Sequence, residues 1–350
     1  MVKPVLLGIA ESAAHGARLA QVEVVSHTAD PFSSEILSSF RAPSIESKLR
    51  YSAVHAAIGA SLGGRRAFVT TSSMTADSIH FASHMRVPLI AMNMARPLGS
   101  FSSRADHSDI MNLRDSGSLI FMPENNTELV ETIVQAYKVA EESSLPAVVG
   151  VDTKDVYESV MLPNEIFCRR FVGKFHSGFS MKKPAYFGGP SDHADFRKQQ
   201  QKAMTLAVQS IEKSSLAWKK KFKRTLPMVD PYRAEDADYI IVMAGYNSTT
   251  ARASVEKMRK EGRKVGLLRL RVLRPWPSEV IANALQHVKK VVVLDQSISI
   301  GSRAPLFTEI SASCRNVHSF VNLGNVLSEK DFRDIFDRLQ KSEKQETVWL

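Results

Sequence analysis

Short apolar runs alternate along the chain with stretches in which apolar residues recur every three or four positions. In the first half, Val22–Ser26, Ala67–Thr71, Val87–Met92, Ser118–Met122 and Ala147–Asp152 read as strands. Tyr51–Leu62, Met74–Met85 and Thr127–Glu142 carry helical spacing between them, and Gly63-Gly64 is a natural stop for the first. Strands separated by helices predict βαβ units and a parallel sheet. From about Asn164 to Arg233 the pattern weakens. Phe175–Pro190 is rich in Gly, Ser and Pro, Phe196–Lys223 is a polar helix pattern, and Pro227 and Pro231 mark a turn. It then restarts, with strands at Tyr239–Ala244, Val265–Val272, Val291–Leu294 and Ser319–Leu323. Helices are expected at Ser248–Glu261, Ser278–His287, Ala304–Ser313 and Glu329–Leu339. The expectation is an α/β domain over 1–165, a linker region over 166–234 and a smaller α/β domain over 235–350.

A chain of 350 residues, 44% hydrophobic and 23% charged, suits two ordinary globular domains. No run approaches the roughly 18 apolar residues that span a bilayer. Met1–Ala14 lacks the basic region and cleavage site of a signal peptide and reads as the opening of a folded domain. Two distant cysteines, Cys168 and Cys314, exclude a disulfide framework and a cysteine-ligated cluster within this chain. They point to a reducing cytoplasm. The net charge of +10 is uneven: Lys219, Lys220, Lys221, Lys223 and Arg224 form one run, with Lys182, Lys183, Arg197 and Lys198 upstream. No nucleic-acid motif accompanies them, so a solvated linker face or a surface for an acidic partner is expected, without nucleic acid.

Few positions carry obvious chemistry. No GxGxxG follows the first strand and no GxxxxGK[ST] occurs; Gly8–Gly16 is a helix pattern. His80 and His84 share a helix face but lack a third metal ligand, so they read as packed or surface histidines. Asp106-His107-Ser108-Asp109 follows a loop of small polar residues and reads as a capping turn. Ser33, Ser34 and Glu35 open a helix whose N-terminus could hold an anion.

Several segments together resemble the alpha subunit of 2-oxoacid:acceptor oxidoreductases, the thiamine diphosphate enzymes that include pyruvate:ferredoxin oxidoreductase. Ala10–Ala20 is similar to the family's opening helix and Ser52–Ser73 (SAVHAAIGASLGGRRAFVTTSS) to its helix–Gly–strand segment. Asp106–Gly117 (DHSDIMNLRDSG) resembles its characteristic loop, with Pro123–Asn125 and Leu145–Asp152 at the expected distances. Asp238–Ala251, Val265–Pro277 and Val291–Gly301 (VVVLDQSISIG) are similar to its C-terminal domain.

The resemblance implies a thiamine diphosphate-binding, pyrimidine-type parallel-sheet domain followed by a smaller transketolase C-terminal-like α/β domain. It implies a beta subunit holding the diphosphate and magnesium, with the active site between the two chains. Gamma and ferredoxin-like delta subunits would carry iron–sulfur clusters, and coenzyme A would be the co-substrate of a 2-oxoacid. A carboxylate must share a proton with the pyrimidine, and a cation or hydroxyl should bind the substrate carboxylate. The family's Tyr-Pro-x-Thr-Pro-Ser-Ser/Thr-Glu turn reads here Thr28-Ala29-Asp30-Pro31-Phe32-Ser33-Ser34-Glu35. Pro31 therefore stands where the substrate-binding threonine is expected, and it has no hydrogen to donate. The pyrimidine-activating glutamate falls on Arg50 without a gap and on Glu46 with a short insertion, and the substrate-binding arginine falls near Arg96. The implied catalytic residues are Glu46 and Arg96. Ser33, Ser34 and Arg50 would bind the cofactor, and Pro31, Asp106, His107 and Asp109 would line the cleft. Two readings follow: a working subunit with altered substrate contacts, or a catalytically degenerate subunit that keeps the fold and partner surfaces.

Overall fold

The computed structural model describes residues 4–40, 42–71, 76–97, 104–152, 157–176, 193–341 and 347–350. A 7-stranded sheet runs in the order Val272–Arg274, Leu119–Phe121, Ala147–Asp152, Ile90–Ala95, Ala67–Thr71, Val24–Thr28, Ser44–Ser47. Only Val272–Arg274 is antiparallel to its neighbour. Its central strands are buried on both faces, which is why they read as unbroken apolar runs. A 6-stranded sheet runs Val348–Trp349, Val317–Val321, Lys290–Asp295, Tyr239–Met243, Val265–Leu270, Val229–Tyr232. Val229–Tyr232 is its antiparallel edge, the one place where Pro231 removes no ladder bond that a further strand would need. Val5–Leu7 and Glu158–Val160 form a separate antiparallel pair.

The helix Asn126–Ser143 is the hub of the first domain and is buried along nearly its whole length. Helix Ile9–Leu19 crosses it so closely that a Cβ on Gly16 would lie 2.9 Å from Ile133 Cβ. The helix His193–Phe222 packs on its other side, where Gln135 Nε2 donates to Ser214 Oγ at 2.9 Å. The segment between the two domains thus folds largely onto the first. Its buried Trp218 sits among Phe167, Phe171 and Phe222. Lys219, Lys220 and Lys221 are exposed beyond it, whereas Arg224 pairs with the buried Glu131. Lys182 and Lys183 lie outside the described residues. No helix among the described residues is long and apolar enough to cross a membrane.

The expected strand Val265–Val272 is in fact two. Val265–Leu270 belongs to the second sheet, and Val272–Arg274 crosses to close the edge of the first. The crossing is held by charge. Arg269 reaches Glu128 with bonds of 2.8 and 2.9 Å, and Arg271 reaches the same carboxylate at 2.7 Å. Arg271 also donates to Gln135 at 2.8 Å and to Thr132 at 2.7 Å. Both guanidiniums are buried, so the apolar-looking run VGLLRLRVLR hides two arginines whose shared carboxylate lies on the Asn126–Ser143 helix, with Asp230 also meeting Arg269 at 3.1 Å.

Burial would raise the Glu128 pKa, but Arg269 and Arg271 hold it down at about 2. That stabilisation is present above the ordinary value of 4.5 and is lost as pH falls toward about 2. Glu128→Gln leaves two buried cations short of charge, and we expect it to cost about 3–5 kcal/mol. Urea unfolding of the variant at pH 7 checks this; a loss below about 1 kcal/mol would show that the cluster contributes little beyond ordinary hydrogen bonds.

Candidate active site

The strand order of the first sheet contains a reversal. The chain steps outward from Val24–Thr28 to Ser44–Ser47, returns past it to Ala67–Thr71, and proceeds the other way to Ile90–Ala95. By topology, the crevice of such a sheet falls at the carboxyl ends of Val24–Thr28 and Ala67–Thr71, the place where open α/β sheets bind ligands. Thr28, Asp30 and Ser33 stand on one side and Thr70 and Thr71 on the other.

The helix Pro31–Ser39 begins at this crevice, with Asp30 as its N-cap and Pro31 at its first position, where a missing N–H costs nothing. The Asp30 carboxylate accepts from the Ser33 N–H at 3.0 Å, and from Ser33 Oγ and Thr28 Oγ1 at 2.8 Å each. Ser33 Oγ is buried and lies 3.1 Å from the Thr70 carbonyl. Ser34 is exposed and donates to the Asp30 carbonyl. The chain's own carboxylate thus fills the anion position expected at this helix N-terminus.

Glu46 lies on the exposed edge strand Ser44–Ser47, in register with His27, and its carboxylate has no partner among the described residues. Arg50 is exposed as the first residue of helix Arg50–Leu62, which has neither a side-chain cap nor an acidic residue in its first turn. A cation there opposes the helix dipole, so helix stability does not account for it. Arg96 is half-buried just past Ile90–Ala95, with its Nε out of water and without a partner among the described residues. Glu46, Ser33 and Arg96 thus come from the carboxyl ends of neighbouring strands.

Asp106, His107 and Asp109 are placed differently, in the joint between the two domains. Asp106 accepts from the Ser108 N–H at 2.7 Å and from its hydroxyl. His107 donates its N–H to the Gln296 carbonyl at 2.8 Å, and its Nε2 meets Asp152 at 2.6 Å. Asp152 in turn accepts from the Tyr246 N–H at 2.9 Å. The approach is so tight that a Cβ on Gly245 would sit 2.9 Å from Asp152 Oδ2 and 3.1 Å from His107 Cε1. The second sheet also reverses order, between Tyr239–Met243 and Lys290–Asp295, and the His107 loop plugs the resulting crevice.

Electrostatics in the joint are strained. Burial lowers the His107 pKa, but Asp152, with Asp109 and Asp106, raises it above its ordinary value. Burial pushes Asp109 up to about 7 against Asn93, the N–H groups of Ile110 and Arg96, and His107. Asp295 is driven to about 7 by burial although it accepts from the N–H groups of Leu306 and Phe307. His107 Nδ1 has no hydrogen-bond partner among the described residues. His84, one of the paired histidines, packs on Phe196 with ring centroids 4.3 Å apart.

Sequence reasoning passed over Asp30, Asp152, Gly245 and Tyr246. An Asp before Pro with Ser at the third helical position is an N-cap signature and could have been read. The other three meet only through the fold.

An α/β sheet with its crevice at the strand reversal, joined to a smaller α/β sheet, is the architecture of thiamine diphosphate enzymes, and the comparisons sharpen it. Residues 34–216 match the family described as pyruvate flavodoxin/ferredoxin oxidoreductase, thiamine diphosphate-binding, and residues 237–334 match pyruvate:ferredoxin oxidoreductase core domain II. Pyruvate synthase subunit PorA of Methanocaldococcus jannaschii is 30% identical, over 97% of this chain and 95% of its own. Ketoisovalerate oxidoreductase subunit VorA of Pyrococcus horikoshii is 31% identical, over 76% of this chain and 71% of its own. The fold matches that of 2-oxoglutarate:ferredoxin oxidoreductase from Magnetococcus marinus with a TM-score of 0.74 at 14% identity, covering 97% of this chain and 66% of that one. Transketolase from Campylobacter jejuni shares the fold with a TM-score of 0.55 at 11% identity, over 97% of this chain and 45% of that one. The chain belongs to the alpha-subunit family of 2-oxoacid:ferredoxin oxidoreductases. It is a subunit of an oxidoreductase that acts in a complex.

The raised Asp109 pKa has a defined sign. Its protonated form is favoured in the fold, so stability falls as pH rises from 3.8 to about 7. We expect Asp109→Asn to flatten that fall and to be more stable than the parent at pH 8. Urea unfolding at pH 5, 6, 7 and 8 measures it; parallel curves for the two proteins would refute the assignment.

Proposed function

We propose that this chain, with a thiamine diphosphate-holding partner subunit, oxidatively decarboxylates a 2-oxoacid. Electrons pass singly to iron–sulfur clusters in other chains, and coenzyme A takes the acyl group. The observation that carries the reading is the unpaired, exposed Glu46 at the carboxyl rim of a sheet that matches the family's thiamine-binding domain. Two well-separated cysteines leave the clusters to partner chains. The names of the relatives, pyruvate synthase and ketoisovalerate oxidoreductase subunits, support the substrate class.

The residues present fit the pyrimidine half of the cofactor by the chemistry of their donors. Glu46 offers a solvent-reachable carboxylate, and no ion pair among the described residues occupies it. Bound there, the group supplies the carbon nucleophile and electron sink that decarboxylation of a 2-oxoacid requires. Glu46 would hold the proton shared with the pyrimidine ring. Arg96 would orient the substrate carboxylate through its guanidinium, whose Nε is out of water and has no partner among the described residues. Ser33 would act indirectly, by fixing Asp30 and the Thr70 end of the crevice. Asp106, His107 and Asp109 would hold the second domain against this cleft and exclude water behind it.

Arg50 supports a second reading. It opens a helix from the same rim against the helix dipole, and a cation facing the pyrimidine would favour the wrong tautomer. Such a subunit would be structural.

Purification of the complex through a tag on this chain separates the two. We expect about one thiamine diphosphate per copy and 2-oxoacid-dependent dye reduction. A complex with partners but no thiamine would make the chain a scaffold. Glu46→Gln should lower kcat by roughly 10²–10⁴, and full activity would remove Glu46 from the mechanism. Arg50→Glu should not raise activity; a sharp rise would put Arg50 in the catalytic place. Arg96→Ala should raise KM for the oxoacid, and an unchanged KM would remove it from the site.

A further inference from the structure

The joint between the two domains gathers more negative charge than it can answer. Asp106 and Asp109 come from the loop and short helix that follow Ile90–Ala95, Asp152 ends Ala147–Asp152, and Asp295 ends Lys290–Asp295 in the second sheet. All four carboxylates are buried, and so is the imidazole among them, His107. His107 is bonded to Asp152 at 2.6 Å, and among the described residues it is the charged group that acts on Asp295. Around Asp109 stand Asn93, the N–H groups of Ile110 and Arg96, and again His107, while Asp106 is met by Ser108. One imidazolium cannot neutralise four buried carboxylates, and a buried ion without a counter-charge is costly. Burial accordingly pushes Asp109 and Asp295 up to about 7, so both hold protons where an ordinary carboxyl has lost them.

The bonds that close the joint run between the domains. The His107 N–H donates to the Gln296 carbonyl, the Tyr246 N–H to Asp152, and the Tyr246 hydroxyl to Asn126 Oδ1 at 2.9 Å. Glu158 and Glu128 also act on Tyr246, and their charge adds to the excess. The other contact across the domains, Glu128 with Arg269 and Arg271, is balanced and stays ionised down to about 2.

We propose that this joint is a proton-operated latch: with Asp109 and Asp295 protonated the two domains close on each other, and ionisation of the two carboxylates lets the second domain swing away on the Glu128 contact. Once the joint opens, water reaches both groups and each returns to the ordinary value of 3.8. Opening then releases up to two protons. It is therefore favoured as pH rises from 3.8 toward about 7, and gains nothing further above that. His107, raised above its ordinary 6.5, adds loosening of the same sign only beyond 6.5, so the interval from pH 5 to 6.5 belongs to the carboxylates. The latch needs no assumption about the substrate.

Hydrogen exchange of the complex purified through this chain, read by mass spectrometry and corrected for the intrinsic pH dependence of exchange, follows the latch. Peptides that carry the His107 and Tyr246 N–H groups should lose at least tenfold in protection between pH 5 and 6.5, while the hub helix Asn126–Ser143 keeps its own. Asp109→Asn combined with Asp295→Asn preserves the size of both side chains and removes their titration, and protection should then be level over that interval. Either single variant, should the pair assemble poorly, should show a shallower fall than the parent. Level protection in the parent, a fall that is unchanged in the variants, or a hub helix that loosens in step with the joint would overturn the latch.

Discussion

One carboxylate, that of Asp152, holds the two halves of this chain in register. It closes the last central strand of the first sheet, takes the His107 ring at 2.6 Å, and takes the Tyr246 N–H of the second domain at 2.9 Å. Everything near it is arranged around that convergence. Gly245 has no Cβ because one would collide with Asp152 and His107. The His107 N–H ties the same loop to Gln296, at the end of a strand in the other sheet. A buried ion pair of this kind costs desolvation and is weak evidence of stability by itself, but removing one member leaves the other uncompensated. Its main effect is to fix one relative placement of the two sheets.

A second polar weld lies across the hub helix. Glu128 answers both Arg269 and Arg271, which flank the point where the chain leaves one sheet for the other. The two welds divide the work. The first keeps the second domain against the carboxyl rim where Glu46, Asp30 and Arg96 open, and the second keeps the crossing strand on the far edge of the same sheet. Glu46 and Arg50 are exposed, as residues that meet a partner chain would be.

Much of this was legible in the sequence, for physical reasons. Ala67–Thr71 and Ala147–Asp152 are buried on both faces and so read as continuous apolar runs with the bounds that the fold gives them. The edge strand Ser44–Ser47 was not legible, because its residues Ser, Ile, Glu and Ser are mostly exposed and carry no pattern. It is nevertheless the strand that carries Glu46. The Val265–Val272 run was read as one strand because its arginines look like ordinary surface positions of an apolar segment; that both are buried depends on a carboxylate more than a hundred positions away. The same holds for the Asp106–Asp109 loop. Its local capping of Ser108 follows from neighbouring residues, whereas its place in the joint depends on Asp152 and Gln296. The family resemblance named the rim residues, and the geometry added the Asp30 cap, three short-range bonds that sequence spacing only hints at.

The crossing strand Val272–Arg274 also bears on how the protein is made. As the chain leaves the ribosome, the parallel core that ends at Asp152 is complete long before the strand that closes its edge has been synthesised. During that interval Leu119–Phe121 presents an open ladder to solvent, a template for pairing with another nascent chain. Slow translation through the helix His193–Phe222, or truncation anywhere before Val272, would prolong that exposure.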